Sequence, residues 1–220
     1  MKHEALEKYD VVINAGSAGS AWSGGDAWKE EEVISKFYEW AWNGGVLIGI
    51  QDPSAADGYN EYFRLAQILG VDKDTGAKVC HGKWKVEVDS VHDLIPDCCE
   101  IPKRAGVFVT DSKTRVLVAD GEAPKLTVHQ FGRGCGIYLG GFVYSPENTR
   151  LLLNLILYGT KQEHSVYLTD NVNAECAYYP EAKKLVVINN SDSIQPVKVG
   201  TEQGVKEMRL NPYETREVDM

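Results

Sequence analysis

The 220-residue sequence lacks several features that would assign it to a specialised class of protein. It contains no apolar run near the roughly 20 residues that a membrane-spanning helix needs. Its first residues are too charged for a secretory signal, and no apolar segment follows them, so we expect a cytoplasmic protein. Basic residues are in deficit: 23 lysines and arginines against 32 acidic residues give a net charge of −9. That balance argues against nucleic-acid binding.

Cysteine is also sparse, with five residues that follow no regular spacing. Without a secretory signal, free thiols are their expected state. One alternative is a zinc site, because cysteine and histidine are ligand types that zinc prefers. Its candidate ligands would be Cys80, His81, His92, Cys98 and Cys99. These residues show no paired ligand spacing, so the sequence predicts no metal centre.

The first part of the chain, residues 1–160, alternates strand and helix signals. Apolar runs at 10–14 and 46–50 have the length of buried strands, and an amphipathic helix follows each of them. Asp26 is the predicted N-cap of the first helix, and Ser145 caps a later one. This order predicts an α/β domain with an open, mostly parallel sheet.

The rest of the chain follows different patterns. Residues 72–103 are irregular, and we interpret them as an insertion. After a polar linker, residues 164–220 contain short strand signals separated by turn residues, which predicts a small all-β domain. The predicted strands of that domain are 165–168, 174–179, 184–189, 196–199 and 206–210.

The loop after the first strand is long and rich in glycine and serine. Its GSAG segment at 16–19 shares part of a dinucleotide-binding fingerprint, but the three-glycine spacing is absent, so we predict no nucleotide cofactor. Small residues let backbone amides approach an anion, and serine hydroxyls can donate hydrogen bonds. A loop that only packs on a neighbour is the alternative. The candidate substrate- or phosphate-binding residues are Asn14, Ala15, Gly16, Ser17, Gly19, Ser20, Trp22, Ser23 and Gly24.

The second strand leads to a position that carries the nucleophile in class I glutamine amidotransferases. A similar run there ends in Gly-Ile-Cys, with a glycine two residues further on. Here Gln51 stands at the nucleophile position and Pro53 at the glycine. A neutral carboxamide cannot accept an acyl group, and the histidines complete no recognisable triad. The sequence therefore predicts no catalytic residue in this chain.

Three collinear blocks resemble the galactosyl-N-acetylhexosamine phosphorylases, also called lacto-N-biose phosphorylases. The blocks are DVVINAGSAGSAWSGG at 10–25, GGVLIGIQDPS at 44–54, and GRGCGIYLGGFVYS at 132–145 with NTRLL at 148–152. In that family a catalytic barrel comes first, followed by a Rossmann-like domain similar to class I glutamine amidotransferases and then by a small β domain. The resemblance covers essentially the whole chain. It implies that residues 1–160 and 164–220 correspond to the second and third parts.

The resemblance also implies a function for a longer parent protein. That protein would cleave β-galactosides with inorganic phosphate, inverting the anomeric carbon and releasing galactose 1-phosphate and a free sugar, with no other cofactor. Its general acid would lie in the barrel, which this chain lacks, and the parent would be a homodimer. We therefore expect a non-catalytic fragment, and the acceptor sugar stays open between N-acetylglucosamine, N-acetylgalactosamine and rhamnose. The alternative is a stand-alone amidotransferase-like or sugar-binding protein without enzymatic activity.

Overall fold

The computed structural model describes residues 6–55, 62–76, 82–89, 93–162 and 167–220. The chain divides into two compact units, Met1–Lys161 and Gln162–Met220. Among the described residues, no helix combines the length and the apolar character needed to cross a membrane. The first unit contains β1 (Val11–Gly16), α1 (Glu31–Trp42), β2 (Val46–Gln51), α2 (Ala66–Leu69), β3 (Val71–Lys73), β4 (Val107–Val109), β5 (Arg115–Asp120), β6 (Ala123–Phe131), β7 (Gly134–Leu139) and α3 (Pro146–Gly159).

The main sheet of the first unit has five strands in the order β1-β2-β7-β6-β5. The pairs β1–β2 and β2–β7 are parallel, whereas β7–β6 and β6–β5 are antiparallel. The sheet is therefore mixed, where the sequence led us to expect a mostly parallel one. The physical reason is that two-residue turns at 121–122 and 132–133 join β5 to β6 and β6 to β7, and so short a connection permits only antiparallel pairing. The likeness to amidotransferases stays a prediction.

Apolar side chains cover both faces of this sheet. Successive residues of a strand point to opposite faces, so Leu47 packs with Phe37 of α1, while Ile48 packs with Leu151 and Leu155 of α3. All five side chains are buried. The helices therefore hold β2 in the middle of the sheet and fix where its carboxyl end lies.

The two predicted helix starts have different outcomes. Ser145 caps α3 as expected, because its side chain accepts a hydrogen bond from the amide of Asn148 at 3.1 Å. The N-cap of α1 is Glu30, and Asp26 lies inside the preceding 3₁₀ helix Gly25–Lys29, so the Asp26 prediction is wrong. The sequence pattern could not separate the 3₁₀ helix from α1, since the two follow each other directly.

The second unit consists of short antiparallel strands. The predicted strands at 174–179 and 184–189 are observed with those bounds, and the last strand of the unit was not predicted. The expected strand at 165–168 lies partly outside the described residues. The strands of this unit are β8 (Ala174–Tyr179), β9 (Lys184–Asn189), β10 (Gln195–Thr201), β11 (Gly204–Leu210) and β12 (Thr215–Asp219). They form a three-stranded sheet β12-β9-β8 and the pair β10–β11.

Candidate functional site

The carboxyl ends of three parallel strands meet at one edge of the main sheet. Gly16 pairs with Gln51 and Ile50 pairs with Leu139, so β1, β2 and β7 end side by side. We call this the carboxyl edge. Open α/β sheets bind their ligands outside this edge, because the strands hold the loops there in fixed positions.

The glycine- and serine-rich loop after β1 is stabilised by its own hydrogen bonds. The buried Asn14 donates from Nδ2 to the carbonyl of Ser23 at 2.9 Å, and its Oδ1 accepts from the amide of Ser54 at 2.5 Å. Ser20 caps a 3₁₀ turn: its Oγ accepts from the amide of Ser23 at 3.3 Å, and Ser23 Oγ donates to the carbonyl of Ser20 at 3.0 Å. The loop therefore has a defined conformation.

The predicted binding residues separate into buried and exposed groups. Asn14 and Ser23 are buried and hold the loop together. Gly16 has a φ of +108°, and a Cβ there would approach Ser20 Oγ to 2.9 Å, so the turn requires glycine. Ala15, Gly16 and Ser20 are half-buried. The members exposed at the carboxyl edge are Ser17, Gly19, Trp22 and Gly24.

Directly after β2, a buried carboxylate joins this loop to two cations. Asp52 is 1% exposed, and its Oδ2 accepts a hydrogen bond from the amide of Ala18 at 3.2 Å. Its Oδ1 accepts from Lys73 Nζ at 3.0 Å and from Arg104 Nε at 2.8 Å, and Arg104 Nη2 donates to Oδ2. Burial by itself would raise the pKa of Asp52, but the hydrogen bonds from Arg104, Lys73 and Ala18 outweigh it and hold that pKa below its ordinary value.

These contacts reduce the number of loop amides that can bind an external anion. The Ala18 amide already donates to an anion that belongs to the chain itself. At the same time, Lys73 and Arg104 both contact the Asp52 carboxylate, so the three side chains form one charged cluster beside the loop. Sequence reasoning missed this cluster, because Lys73 and Arg104 lie 21 and 52 residues from Asp52 along the chain. The available signal was an aspartate directly after a buried strand.

The neighbouring Gln51 has an unusual backbone but no nucleophilic chemistry. Its φ is +70°, a left-handed conformation that costs a side-chain-bearing residue energy and that clusters at functional sites. The hydroxyl of the buried Tyr138 donates to the Gln51 carbonyl at 3.2 Å and helps to hold the turn. Burial raises the pKa of Tyr138 far above its ordinary value, so this phenol stays protonated as a donor.

A second loop borders the carboxyl edge after β7. Its glycines accommodate the segment at 101–104: a Cβ on Gly140 would lie 2.5 Å from the Pro102 carbonyl, and one on Gly141 would lie 2.9 Å from the Pro102 ring. The loop ends at the buried Asn148, whose Nδ2 donates to the Val143 carbonyl at 2.7 Å. Between these two fixed points stands Tyr144, which is 90% exposed.

The candidate metal ligands do not form a site in the described part of the chain. Cys80, His81 and His92 lie outside the described residues, Cys98 is exposed, and Cys99 is half-buried. Over 6–55, 62–76, 82–89, 93–162 and 167–220, no three histidine, cysteine or carboxylate side chains are grouped so as to hold a metal ion. Burial raises the pKa of the Cys99 thiol, which further disfavours a thiolate there.

The order of an α/β unit followed by a small β unit matches two domains of one known protein family. The profile of the lacto-N-biose phosphorylase central domain matches residues 1–164, and the profile of the C-terminal domain of the same enzymes matches residues 167–216. The chain belongs to the lacto-N-biose phosphorylase family. It corresponds to the central and C-terminal domains of that family, as the sequence blocks indicated.

Curated relatives agree with this assignment. The chain is 42% identical over 196 residues to a D-galactosyl-β-1→4-L-rhamnose phosphorylase of Lachnoclostridium phytofermentans, covering 89% of this chain and 27% of the relative. It is 34% identical over 192 residues to a 1,3-β-galactosyl-N-acetylhexosamine phosphorylase of the same organism, covering 84% of this chain and 26% of the relative. The chain thus spans about a quarter of the length of these relatives.

Solved structures show a similar fold at much lower identity. The β-galactosidase from Rahnella sp. R3 aligns with a TM-score of 0.52 at 15% identity, covering 98% of this chain and 33% of that one. The β-galactosidase from the Antarctic haloarchaeon Halorubrum lacusprofundi aligns with a TM-score of 0.52 at 12% identity, covering 99% and 32%. These alignments show a likeness in fold alone.

Proposed function

We propose that this chain supplies the central and C-terminal domains of an inverting phosphorylase, which cleaves β-galactosides with inorganic phosphate. The observation that carries the proposal is the order of two family matches, the central domain at 1–164 and the C-terminal domain at 167–216. The curated relatives that carry both regions are named as galactoside phosphorylases. The products would be galactose 1-phosphate and a free sugar.

In such a reaction, an acid protonates the glycosidic oxygen while phosphate attacks the anomeric carbon from the opposite face. Phosphate is already an anion, so it needs no base to activate it. We assign no acid to this chain, because the buried carboxylate at the carboxyl edge, Asp52, is held ionised by two cations and has no proton to give. The acid would belong to another part of the enzyme, and this chain would bind and position substrate.

We assign the binding role to the loop after β1. Ser17, Gly19 and Trp22 are exposed in this loop, and the Ala18 amide of the same loop contacts Asp52. Hydroxyl and backbone amide donors suit an anion, so phosphate or the galactose 1-phosphate product is the ligand that we assign to this loop. The proposed phosphate subsite therefore includes fewer residues than the segment 14–24 that the sequence suggested. Asn14 and Ser23 are left out, because their hydrogen bonds hold the loop together.

The choice of acceptor sugar follows the curated relatives. The rhamnose phosphorylase is 42% identical to this chain, against 34% for the N-acetylhexosamine enzyme of the same organism. We therefore propose galactosyl-β-1,4-L-rhamnose as the first substrate to test, with 1,3-linked galactosyl-N-acetylhexosamines as the comparison.

A domain exchange tests the proposal. The region of the Lachnoclostridium phytofermentans rhamnose phosphorylase that matches this chain is replaced by residues 1–220, and release of galactose 1-phosphate is measured with phosphate and each galactoside. We expect the chimera to be active, the relative without this region to be inactive, and the 220-residue chain alone to be inactive. A folded but inactive chimera, or turnover by the chain alone, would contradict the proposal.

The same chimera tests the loop. We expect Ser17→Ala to raise the KM for phosphate about tenfold or more, because one hydrogen bond to a charged ligand is lost. The matched control is Ser112→Ala, an exposed serine in the turn before β5. Equal phosphate KM values for the two variants would remove the loop from the phosphate subsite.

A further inference from the structure

Strand β1 lies at one edge of the main sheet. In the order β1-β2-β7-β6-β5 it pairs with β2, and among the described residues no other strand or isolated bridge pairs with its outer side. An open edge strand presents a row of N–H and C=O groups to which a further strand can bind. The outer side of β1 is therefore a candidate interaction surface.

Two hydrogen bonds at the ends of β1 show which of its peptide groups face outward. The carbonyls of Asp10 and Gly16 accept hydrogen bonds from amides at the start of β2 and directly after its end, at 2.9 and 3.1 Å. In a parallel pair, every second residue of a strand bonds to the same neighbour. The even-numbered residues from 10 to 16 therefore bond to β2, and the peptide groups of Val11, Ile13 and Ala15 face the outer side.

The side chains of β1 have the apolar character of an interior strand. Its sequence, VVINAG, contains no charged residue and no proline, and its pairing with β2 contains no bulge. Charged residues, prolines and bulges are the devices that usually protect an edge strand from further pairing. Ile13 is 43% exposed, whereas Ile48, its partner in register on β2, is buried. β1 thus has the sequence of an interior strand at an edge position.

The opposite edge of the same sheet is protected. Val88 forms an isolated bridge with Val116 of β5, and the Asp89 amide donates to the Val116 carbonyl at 2.7 Å. The exposed Arg115 at the start of β5 also donates from Nε to the Asp89 carboxylate at 2.9 Å. Of the two edges of the main sheet, as far as the structure describes them, the outer side of β1 is therefore the open one.

Size and charge favour another part of the same enzyme as the partner over a second copy of this chain. The chain covers 27% and 26% of two curated relatives, so most of such an enzyme lies outside the region that corresponds to this chain. Two copies would each bring a net charge of −9, which opposes their association. A strand of the same polypeptide also avoids the entropic cost of bringing two molecules together.

We infer that the outer side of β1 binds a further strand of the phosphorylase, supplied by the part of the enzyme outside residues 1–220. The inference rests on the proposed function for the identity of this partner. The added strand bonds to the outward peptide groups of Val11, Ile13 and Ala15, and its side chains cover Ile13. β1 then becomes an interior strand of a larger sheet, which is the position that its apolar sequence suits.

Hydrogen exchange at single-residue resolution, measured by mass spectrometry, tests the inference without requiring turnover. It compares the 220-residue chain with the chimera in which residues 1–220 replace the matching region of the rhamnose phosphorylase. We expect the amides of Val11, Ile13 and Ala15 to exchange about tenfold or more slowly in the chimera, because each gains a hydrogen bond. The amides of Val12 and Asn14 bond to β2 and should exchange slowly in both proteins.

The variant Ile13→Lys tests the apolar side of the contact. Its control is Ile194→Lys in the second unit, where the isoleucine is 47% exposed. In the 220-residue chain, both substitutions should change the melting temperature by less than about 2 °C, because both side chains are partly in solvent. In the chimera, Ile13→Lys should lower the melting temperature by about 5 °C or more, since the added strand would cover the lysine, and Ile194→Lys should not.

Several outcomes would overturn the inference. Equal exchange of the three outward amides in the chain and the chimera would do so, as would equal melting temperatures of the two lysine variants in the chimera. Slow exchange of these amides in the 220-residue chain, with a dimer in analytical ultracentrifugation, would instead make a second copy the occupant.

Release of galactose 1-phosphate by the chimera is measured separately. An inactive chimera with slow exchange at the outward amides of β1 would contradict the proposed function alone. An active chimera in which these amides exchange as fast as in the 220-residue chain would contradict the strand pairing alone.

Discussion

Replacing Asp52 by asparagine removes one negative charge from the carboxyl edge and changes little else. The carboxamide has nearly the same shape, and its oxygen can still accept from the Ala18 amide. Lys73 and Arg104, however, then face each other without the carboxylate that both contact. We expect the variant to fold with lower stability, because two like charges remain close together in a partly buried place.

The size of the effect follows from the burial of the three groups. Breaking a fully buried ion pair by removing one partner costs about 3–5 kcal/mol. Asp52 is 1% exposed, but the side chains of Lys73 and Arg104 are 12% and 34% exposed, so solvent screens part of the repulsion. We therefore expect a loss of about 2–3 kcal/mol at pH 7, which corresponds to a melting temperature lower by about 5–10 °C for a unit of this size.

The loss of folding stability caused by Asp52→Asn should decrease as the pH falls. The pKa of Asp52 in the folded protein lies below its ordinary value of 3.8, so the carboxylate stabilises the fold fully above that value. This contribution is lost as the pH falls through the folded pKa, because the proton then binds to the folded chain as well. The difference between the unaltered chain and Asp52→Asn should be constant from pH 7 to about pH 5 and should shrink below about pH 4.

Thermal and urea unfolding, monitored by circular dichroism at several pH values, measure this difference. The control is Asp26→Asn, which breaks the exposed ion pair of Asp26 with Lys29 and should cost less than about 0.5 kcal/mol. Equal losses for Asp52→Asn and Asp26→Asn would refute the reasoning. So would an Asp52→Asn penalty that stays unchanged down to pH 3.

Two further predictions concern packing and thiol chemistry in the first unit. Gly49→Ala should lower the free energy of unfolding in urea by about 2 kcal/mol, because the added Cβ would meet the Pro53 ring at 2.7 Å. The control is Gly82→Ala, which has open space around it and should lower the free energy of unfolding by less than about 0.5 kcal/mol. Similar losses for the two variants would contradict the packing. Iodoacetamide should label the exposed Cys98 quickly and Cys135 only on unfolding, because burial raises the pKa of the Cys135 thiol to about 11. Peptide mass spectrometry at pH 8 measures the labelling rates of both cysteines. Comparable rates would contradict the burial of Cys135.

Local sequence patterns predicted most elements of the fold. The apolar runs identified β1 and β2, the serine before a proline identified the start of α3, and short strand signals between turn residues identified β8 and β9. Strand direction was missed: the connections at 121–122 and 132–133 are too short for the crossover that parallel pairing needs, and the alternation of strand and helix signals alone did not take connection length into account. The Asp26 prediction failed for a similar reason: a 3₁₀ helix and an α-helix use the same kinds of residue at their starts.

The sequence by itself determined the family, through three blocks of unchanged order, and the place of the candidate loop after β1. Only the tertiary structure showed that Asp52, Lys73 and Arg104 form one charged cluster. The physical reason is distance along the chain. Strand and helix patterns arise between neighbours a few residues apart, whereas a site at a sheet edge is assembled from loops that only folding brings together.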